Sequence, residues 1–328
     1  MPEWGSLFYV GCLRLYENEY MLLSLFILDS SHLCCYNQNA STGYISLHIL
    51  KRVAVVSTVY RLKTTKEREQ IMGVYVITGG ATGIGAETRR LLLEEGHEVF
   101  NIDYKGGDLE ADLSTDEGVS SAIRAVEEQY PDGIDGLISN AGVGPTASPE
   151  KIFSLNFYAG VYIAEGLRHL LMKRRGCCVM TCSNSITNSS VRMDWVELLT
   201  NLRNRERGMD LARMIPQAQT ASAYSSSKCA LARWVRRVSP SWAVDGLRIN
   251  AVAPGNTTTP MTRGLTEQQR DAALLIPIPT RYGTREFLDA EEIANSITFL
   301  ASPKASGING VVLFVDGGID ALMRSERF

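Results

Sequence analysis

The sequence predicts an α/β fold, a doubly wound parallel sheet of about seven strands with helices on both faces. Three observations predict it. From Met72 onward, short apolar runs alternate with helical segments. The first run ends in a glycine-rich turn, Thr78-Gly79-Gly80-Ala81-Thr82-Gly83-Ile84-Gly85. Residues 72–328 also have the length of one α/β domain. Strands of a parallel sheet are buried on both faces, so they read as continuous apolar runs rather than as alternating ones.

Each element follows from a local signal. The run Val74–Ile77 predicts the first strand and Ile84–Glu95 the first helix, which Gly96 stops. A strand is predicted over Glu98–Ile102, and a short third strand precedes Asp112. Ser114 or Thr115 caps a helix predicted to run to Gln129. There follow a strand over Gly136–Ser139, a helix over Ile152–Met172 and a strand over Cys178–Thr181. The pattern closes with helix Ser222–Val238, strand Arg248–Val252, helix Ala290–Leu300 and strand Val311–Val315. Right-handed crossovers place ligand sites at the C-terminal ends of such strands.

Residues 1–71 lack this order, with no clear strand or helix period and no glycine turn code. They are read as upstream sequence ahead of a natural start at Met72, where the purine-codable stretch Lys66–Glu69 could mark a ribosome-binding site. The alternative is a disordered or loosely docked extension. The apolar run Met21–Leu28 is too short to span a bilayer, which needs about 20 residues. Acidic Glu3, Glu17 and Glu19 stand where a secretory signal would be basic. The expectation is therefore a cytoplasmic protein, neither exported nor inserted in a membrane. The chain is 45% hydrophobic and 21% charged with a net charge of −3, which gives no basic face for nucleic acid. Seven cysteines occur without a repeating CxxC frame, so neither a metal site nor a disulfide framework is expected.

The glycine-rich turn sits between a strand and a helix, where backbone can approach a pyrophosphate and the helix N-terminus offers N–H groups. Its spacing is TGxxxGxG, and Gly79, Thr82, Gly83, Ile84 and Gly85 are the candidate cofactor residues. Asp103 ends the second strand, where an acid can bind both ribose hydroxyls of NAD and repel the 2′-phosphate of NADP. A plain strand-end turn is the other reading of Asp103, and Lys105 could soften the preference. Asp112 and Leu113 follow the third strand where an adenine could rest. Asn140, Ala141 and Gly142 follow the fourth, with small side chains suited to lying against a cofactor.

Tyr224-Ser225-Ser226-Ser227-Lys228 opens a predicted helix, and positions i and i+4 share a face. Oxidising an alcohol requires removal of its proton as hydride leaves. A phenol of pKa about 10 must drop by about 3 units to serve at neutral pH, or roughly 4 kcal/mol. A cation about 4 Å away at an effective dielectric of about 20 supplies that much. Lys228 plus the positive nicotinamide ring are thus expected to lower the Tyr224 pKa. Tyr224 and Lys228 are also expected cofactor-binding residues, Lys228 by holding the nicotinamide ribose.

With TGGATGIG at 78–85, NAG at 140–142, YSSSK at 224–228, PG at 254–255 and VDGG at 315–318, the chain resembles the short-chain dehydrogenase/reductase family over residues 72–328. The resemblance implies a Rossmann-type domain and a homo-oligomer, dimer or tetramer. It also implies two further catalytic positions. Asn156, in SLNFYAG, would support a water-mediated proton relay. Ser183, in VMTCSNS, would bind the substrate oxygen, with Ser185 as the fallback. Thr257 and Thr259 in PGNTTTP match the family's nicotinamide-carboxamide loop.

Ser183 and Tyr224 lie 41 residues apart, where the family usually has little more than a dozen. The added stretch carries Trp195, Leu198, Leu199, Leu202, Leu211 and Met214 in an amphipathic helical pattern, giving a helical insertion near 185–220. It could border substrate or reshape a subunit interface. That spacing, ADLS at 111–114 and the ending VDGGIDALMRSERF resemble the family's branch of bacterial 3α-hydroxysteroid dehydrogenase/carbonyl reductases, to which coniferyl-alcohol dehydrogenases are also similar. Residues Met261–Leu288 read either as a mobile lid, with Leu265, Leu274–Ile278 and the hinges Gly264 and Gly283, or as a helix packed on the core. Arg263 or Arg281 could meet a substrate carboxylate. The expected function is NAD-dependent interconversion of a secondary alcohol and a ketone, with the 3α-hydroxyl of a steroid or bile acid as substrate. An aromatic, coniferyl-type alcohol is the alternative, and a non-catalytic NAD-binding regulator is the alternative of another class.

Overall fold

The computed structural model describes residues 10–17, 20–28, 33–37, 72–201, 205–263, 267, 278–280, 283–285 and 287–326. Met1–Gln70 and Ile71–Phe328 are separate compact units. In the first, β1 (Val10–Glu17), β2 (Tyr20–Leu28) and β3 (Leu33–Asn37) form an antiparallel sheet in that order. The sequence reading found no strand here. The run Met21–Leu28 is the body of central strand β2, and a strand that is apolar at nearly every position carries no period-2 signal.

In the second unit, β4 (Val74–Thr78) leads through the glycine turn to α1 (Gly83–Glu94). Next come β5 (Glu98–Asp103), β6 (Leu109–Glu110), α2 (Asp116–Gln129) and β7 (Gly136–Ser139). Thr115 is the residue that caps α2, its side chain accepting from Gly118 N. The predicted long helix is broken into α3 (Pro149–Phe153), a π-helical turn over Ser154–Ala159, and α4 (Gly160–Arg174). After β8 (Cys177–Thr181) the insertion folds as α5 (Met193–Thr200) and α6 (Arg205–Met214), then α7 (Thr220–Val244) and β9 (Arg248–Pro254). The remaining elements are β10 (Thr257–Thr258), α8 (Pro260–Arg263), β11 (Ile278–Thr280), β12 (Gly283–Arg285), β13 (Leu288–Asp289), α9 (Ala290–Ala301), β14 (Val312–Val315) and α10 (Ile319–Met323).

Seven strands pair in parallel in the order β14-β9-β8-β7-β4-β5-β6. Alternate residues of β4 serve opposite faces. Val74 and Val76 join the core with α2, α4 and α7, while Tyr75 and Ile77 join the core with α1 and α9. The chain reverses its direction of sheet growth between β4 and β7, so a crevice opens beyond Thr78 and Ser139.

Helix α7 runs past the predicted end at Val238, through Pro240. Proline cannot donate to the Arg236 carbonyl; the Ser239 hydroxyl does so instead, at 3.1 Å. The fully buried Trp242 holds the extension on the core. The insertion is amphipathic as expected, with Trp195, Val196 and Leu199 of α5 buried and Leu198 and Leu211 half-buried. Met214 instead faces solvent, and Leu202 lies outside the described residues.

Candidate active site

At the crevice one cleft of about 660 Å³ is lined by Gly79, Thr82, Gly83, Ile84, Asp103, Asp112, Leu113, Asn140, Ala141, Gly142, Ser183, Tyr224, Lys228, Thr257 and Thr259. Gly85 and Asn156 do not line it; each acts one layer behind. A Cβ on Gly85 would lie 1.9 Å from the Gly79 carbonyl oxygen, so this glycine lets α1 pack on the turn. Gly79 has φ +72°, and a Cβ there would press on the Ala141 backbone at 2.8 Å.

Polar side chains that the sequence reading passed over hold the cradle. The Thr78 hydroxyl accepts from the N–H groups of Asn140 and Ala141, both at 3.1 Å. Buried Asn101 accepts from Gly80 N at 2.9 Å. A polar residue inside the apolar strand EVFNID was the available signal. Thr82 precedes α1 in extended conformation without a capping hydrogen bond from its side chain, leaving the first helix N–H groups to an anion. Asp103 is fixed at the end of β5, Oδ2 accepting from Ala81 N at 2.9 Å and Oδ1 from Tyr104 N at 2.7 Å. Oδ1 also accepts a longer bond from Lys105 N at 3.5 Å, and Oδ2 keeps a lone pair for a ribose hydroxyl. The Asp112 carboxyl is held below its ordinary range by the Ser114 hydroxyl and N–H. The Lys105 and Lys151 ammonium groups lie 6.0 and 5.8 Å from the centre of the Tyr104 ring.

On the floor, Tyr224 and Lys228 of α7 meet Ser183 at the end of β8. The Ser183 hydroxyl lies beside the Tyr224 phenol and favours phenolate. Ser183 Oγ also accepts from Ser185 N at 3.2 Å, so its own proton is free to go to the phenol or to a substrate oxygen. Buried Lys228 donates from Nζ to the Thr181 carbonyl at 2.7 Å and keeps two N–H donors. The expected lowering of the Tyr224 pKa includes the charge of a bound nicotinamide. Burial pushes the Tyr224 phenol up, against the smaller effect of Ser183, and burial brings the Lys228 ammonium down to about 8. Desolvation on the cleft floor disfavours both charged forms.

Asn156 sits in the π-helical turn, and its amide is engaged by Val143. Oδ1 accepts from Val143 N at 2.8 Å and Nδ2 donates to Val143 O at 3.0 Å. Both Asn156 Oδ1 and Lys228 Nζ border Gly142. The side chain therefore fixes the loop after β7 rather than facing the cleft. The Thr257 hydroxyl donates to Gly255 O at 2.9 Å, and Thr259 packs against Gly83 at the start of α1. Met261 of α8 lines the cleft and abuts Gly144, while Arg263 is exposed. Of the expected lid, Gly264, Leu265, Leu274, Leu275, Ile276, Pro277 and Arg281 lie outside the described residues; Ile278 and Gly283 belong to the β11–β12 hairpin. Among the described residues no cluster of His, Cys, Asp or Glu could hold a metal ion, and no helix is long and apolar enough to cross a membrane.

Comparison with known proteins gives consistent matches. Residues 73–194 match the family profile described as short chain dehydrogenase, and 209–320 one described as enoyl-(acyl carrier protein) reductase. The chain is 34% identical over 260 residues to a 3-alpha-hydroxysteroid dehydrogenase/carbonyl reductase of Comamonas testosteroni, covering 78% of this chain and 100% of that one. A coniferyl-alcohol dehydrogenase of Pseudomonas sp. (strain HR199 / DSM 7063) is 29% identical, over 74% of this chain and 95% of its own. Among solved structures, the 3-alpha-hydroxysteroid dehydrogenase from Pseudomonas sp. B-0831 complexed with NADH superposes with a TM-score of 0.71 at 36% identity, over 78% of this chain and all of that one.

Proposed function

This chain belongs to the short-chain dehydrogenase/reductase family, and we propose that it is an NAD(H)-dependent oxidoreductase acting on the 3α-hydroxyl of a steroid or bile acid. The observation that carries the reading is the meeting of Ser183, Tyr224 and Lys228 beside a glycine cradle in one cleft. The residues fit a dinucleotide. The cradle excludes any Cβ at Gly79, α1 points its N-terminus at the cleft, and the Asp103 carboxylate stands where a 2′-phosphate would be repelled. The steroid assignment leans on the two relatives named for that activity.

When bound, an oxidised nicotinamide supplies the hydride acceptor and a positive charge near the phenol. Ser183 donates its hydroxyl to the substrate oxygen. Tyr224 accepts the alcohol proton at Oη in oxidation and returns it in reduction. Lys228 is held by the Thr181 carbonyl so that its remaining N–H donors meet ribose hydroxyls and its charge offsets that of a phenolate. Asn156 keeps the Val143 loop against the cofactor face. Initial rates of nicotinamide reduction with lithocholate, androsterone and coniferyl alcohol test the reading. Turnover of the first two with NAD, well above that with NADP, is expected. Faster turnover of coniferyl alcohol would reassign the substrate to the aromatic class, and NADH binding without turnover of any alcohol would make the chain a regulator.

A further inference from the structure

The substrate half of the cleft has a wall made by the loop 184–192, whose Ser185, Asn188 and Ser190 line it just beyond Ser183. Two separate elements pin this loop. On the α7 side, the Ser190 hydroxyl donates to Ser225 Oγ at 3.1 Å and Arg192 N donates to Ser226 Oγ at 2.9 Å. Ser225 and Ser226 are buried and accept these bonds from the loop, while Ser227 donates to the Tyr224 carbonyl at 2.7 Å.

The second anchor comes from the far end of the chain. The Thr187 hydroxyl donates to Asp320 Oδ1 at 2.8 Å, across 133 residues of sequence. Asp320 lies in α10 and is itself held from three directions. Its N–H donates to Asp316 Oδ2 at 2.7 Å, and its two oxygens accept from Arg324 Nε at 2.8 Å and Nη2 at 2.7 Å. Asp316 is buried against Gly255, at the end of β9. The Arg324 guanidinium lies 5.8 Å from the Phe314 ring of β14. A carboxylate so fixed is a rigid acceptor, and rigidity is what a positioned loop needs.

We propose that Asp320 is a positioning residue for the alcohol substrate, setting the loop 184–192 through Thr187 while Arg324 aims its carboxylate. This rests on the reading that the cleft takes an alcohol beside Tyr224. Ser190, pinned to Ser225, and the exposed amide of Asn188 then give the alcohol a polar border in a cleft that Val143, Pro145 and Met261 also line.

The test uses the full chain. Asp320→Ala is expected to raise KM for the alcohol about tenfold, the loss of one charge-assisted hydrogen bond. The same variant should leave kcat within about threefold and the NADH dissociation constant, read by fluorescence titration, within about twofold. Asp320→Asn keeps an oxygen for the Thr187 hydroxyl and should restore most of the KM. Hydrogen exchange gives a readout independent of turnover: amides of 185–191 should lose protection in Asp320→Ala while those of α7 keep theirs. Should Asp320→Ala not fold, Thr187→Val leaves the Asp320–Arg324 pair intact and carries the same test. An unchanged alcohol KM with unchanged loop protection overturns the proposal, as does an equal weakening of NADH binding. If the wild-type chain turns over no alcohol, the proposed function fails, and loop protection alone decides whether the anchor exists.

Discussion

Tyr224 and Lys228 sit one helical turn apart on the floor of the cleft, the phenol half-buried and the ammonium buried, and desolvation disfavours the charged form of each. Oxidation needs phenolate, so its kcat/KM should rise with pH, while reduction, which uses the protonated phenol, should fall at alkaline pH; paired pH–rate profiles check this. Tyr224→Phe removes the proton carrier and leaves the glycine cradle, Asp103 and Lys228 in place. It should cut turnover by at least about a thousandfold, with NADH affinity unchanged by fluorescence titration. Lys228 yields a stability prediction. Its ammonium titrates at about 8 in the fold against an ordinary value of 10.5, so carrying the charge below pH 8 costs about 3 kcal/mol. Between those two pH values the folded protein releases the proton that the unfolded chain keeps, and stability rises with pH. Lys228→Met loses the bond to the Thr181 carbonyl, worth about 1 kcal/mol, and removes the larger charge cost. It should therefore be inactive yet more stable by about 1–2 kcal/mol at pH 7, an advantage that vanishes above pH 10.5 in thermal melts.

The insertion helices show what an element needs beyond its own pattern. Helix α5 buries Trp195, Val196 and Leu199 and packs on α7. Helix α6 docks through Gly208, where a Cβ would lie 2.0 Å from the Tyr158 hydroxyl, and through Arg205. The Arg205 guanidinium lies 5.5 and 5.3 Å from the centres of the Tyr158 and Tyr162 rings and pairs with Asp116. Gly208→Val should displace α6 and cost about 2–3 kcal/mol by denaturant unfolding. NADH binding should survive, because neither helix lines the cofactor half of the cleft. The amphipathic period of this stretch was legible in the sequence. The choice of Tyr158 and Tyr162 as its docking surface was not, because Arg205 and Asp116 are 89 residues apart.

At the scale of the molecule, the cleft exists because the sheet changes direction between β4 and β7, leaving two sets of loops free at the strand ends. Among the described residues, those lining the cleft and those of both hydrophobic cores lie within 74–319. On the reading of Met72 as the natural start, a chain beginning there should keep its thermal midpoint within about 2 °C and its rate within about twofold; a larger loss would assign residues 1–71 a part in the working fold. Strand and helix order was legible because burial on both faces leaves apolar runs and each helix has its own stop or cap. The extension of α7 through Pro240 was not, since a side chain one residue away replaced the missing donor.

The sequence by itself determined the strand–turn–helix order, the glycine cradle, the acid at the end of the second strand and the Tyr–Lys spacing. Each depends on backbone geometry within a few residues, which composition and periodicity record. Only the tertiary structure decided that Asn156 turns its amide to Val143, that burial outweighs the effect of Ser183 on the Tyr224 phenol, and that Asp320 reaches Thr187. These outcomes depend on desolvation and on contacts between distant segments, and neither is encoded in any local stretch of the chain.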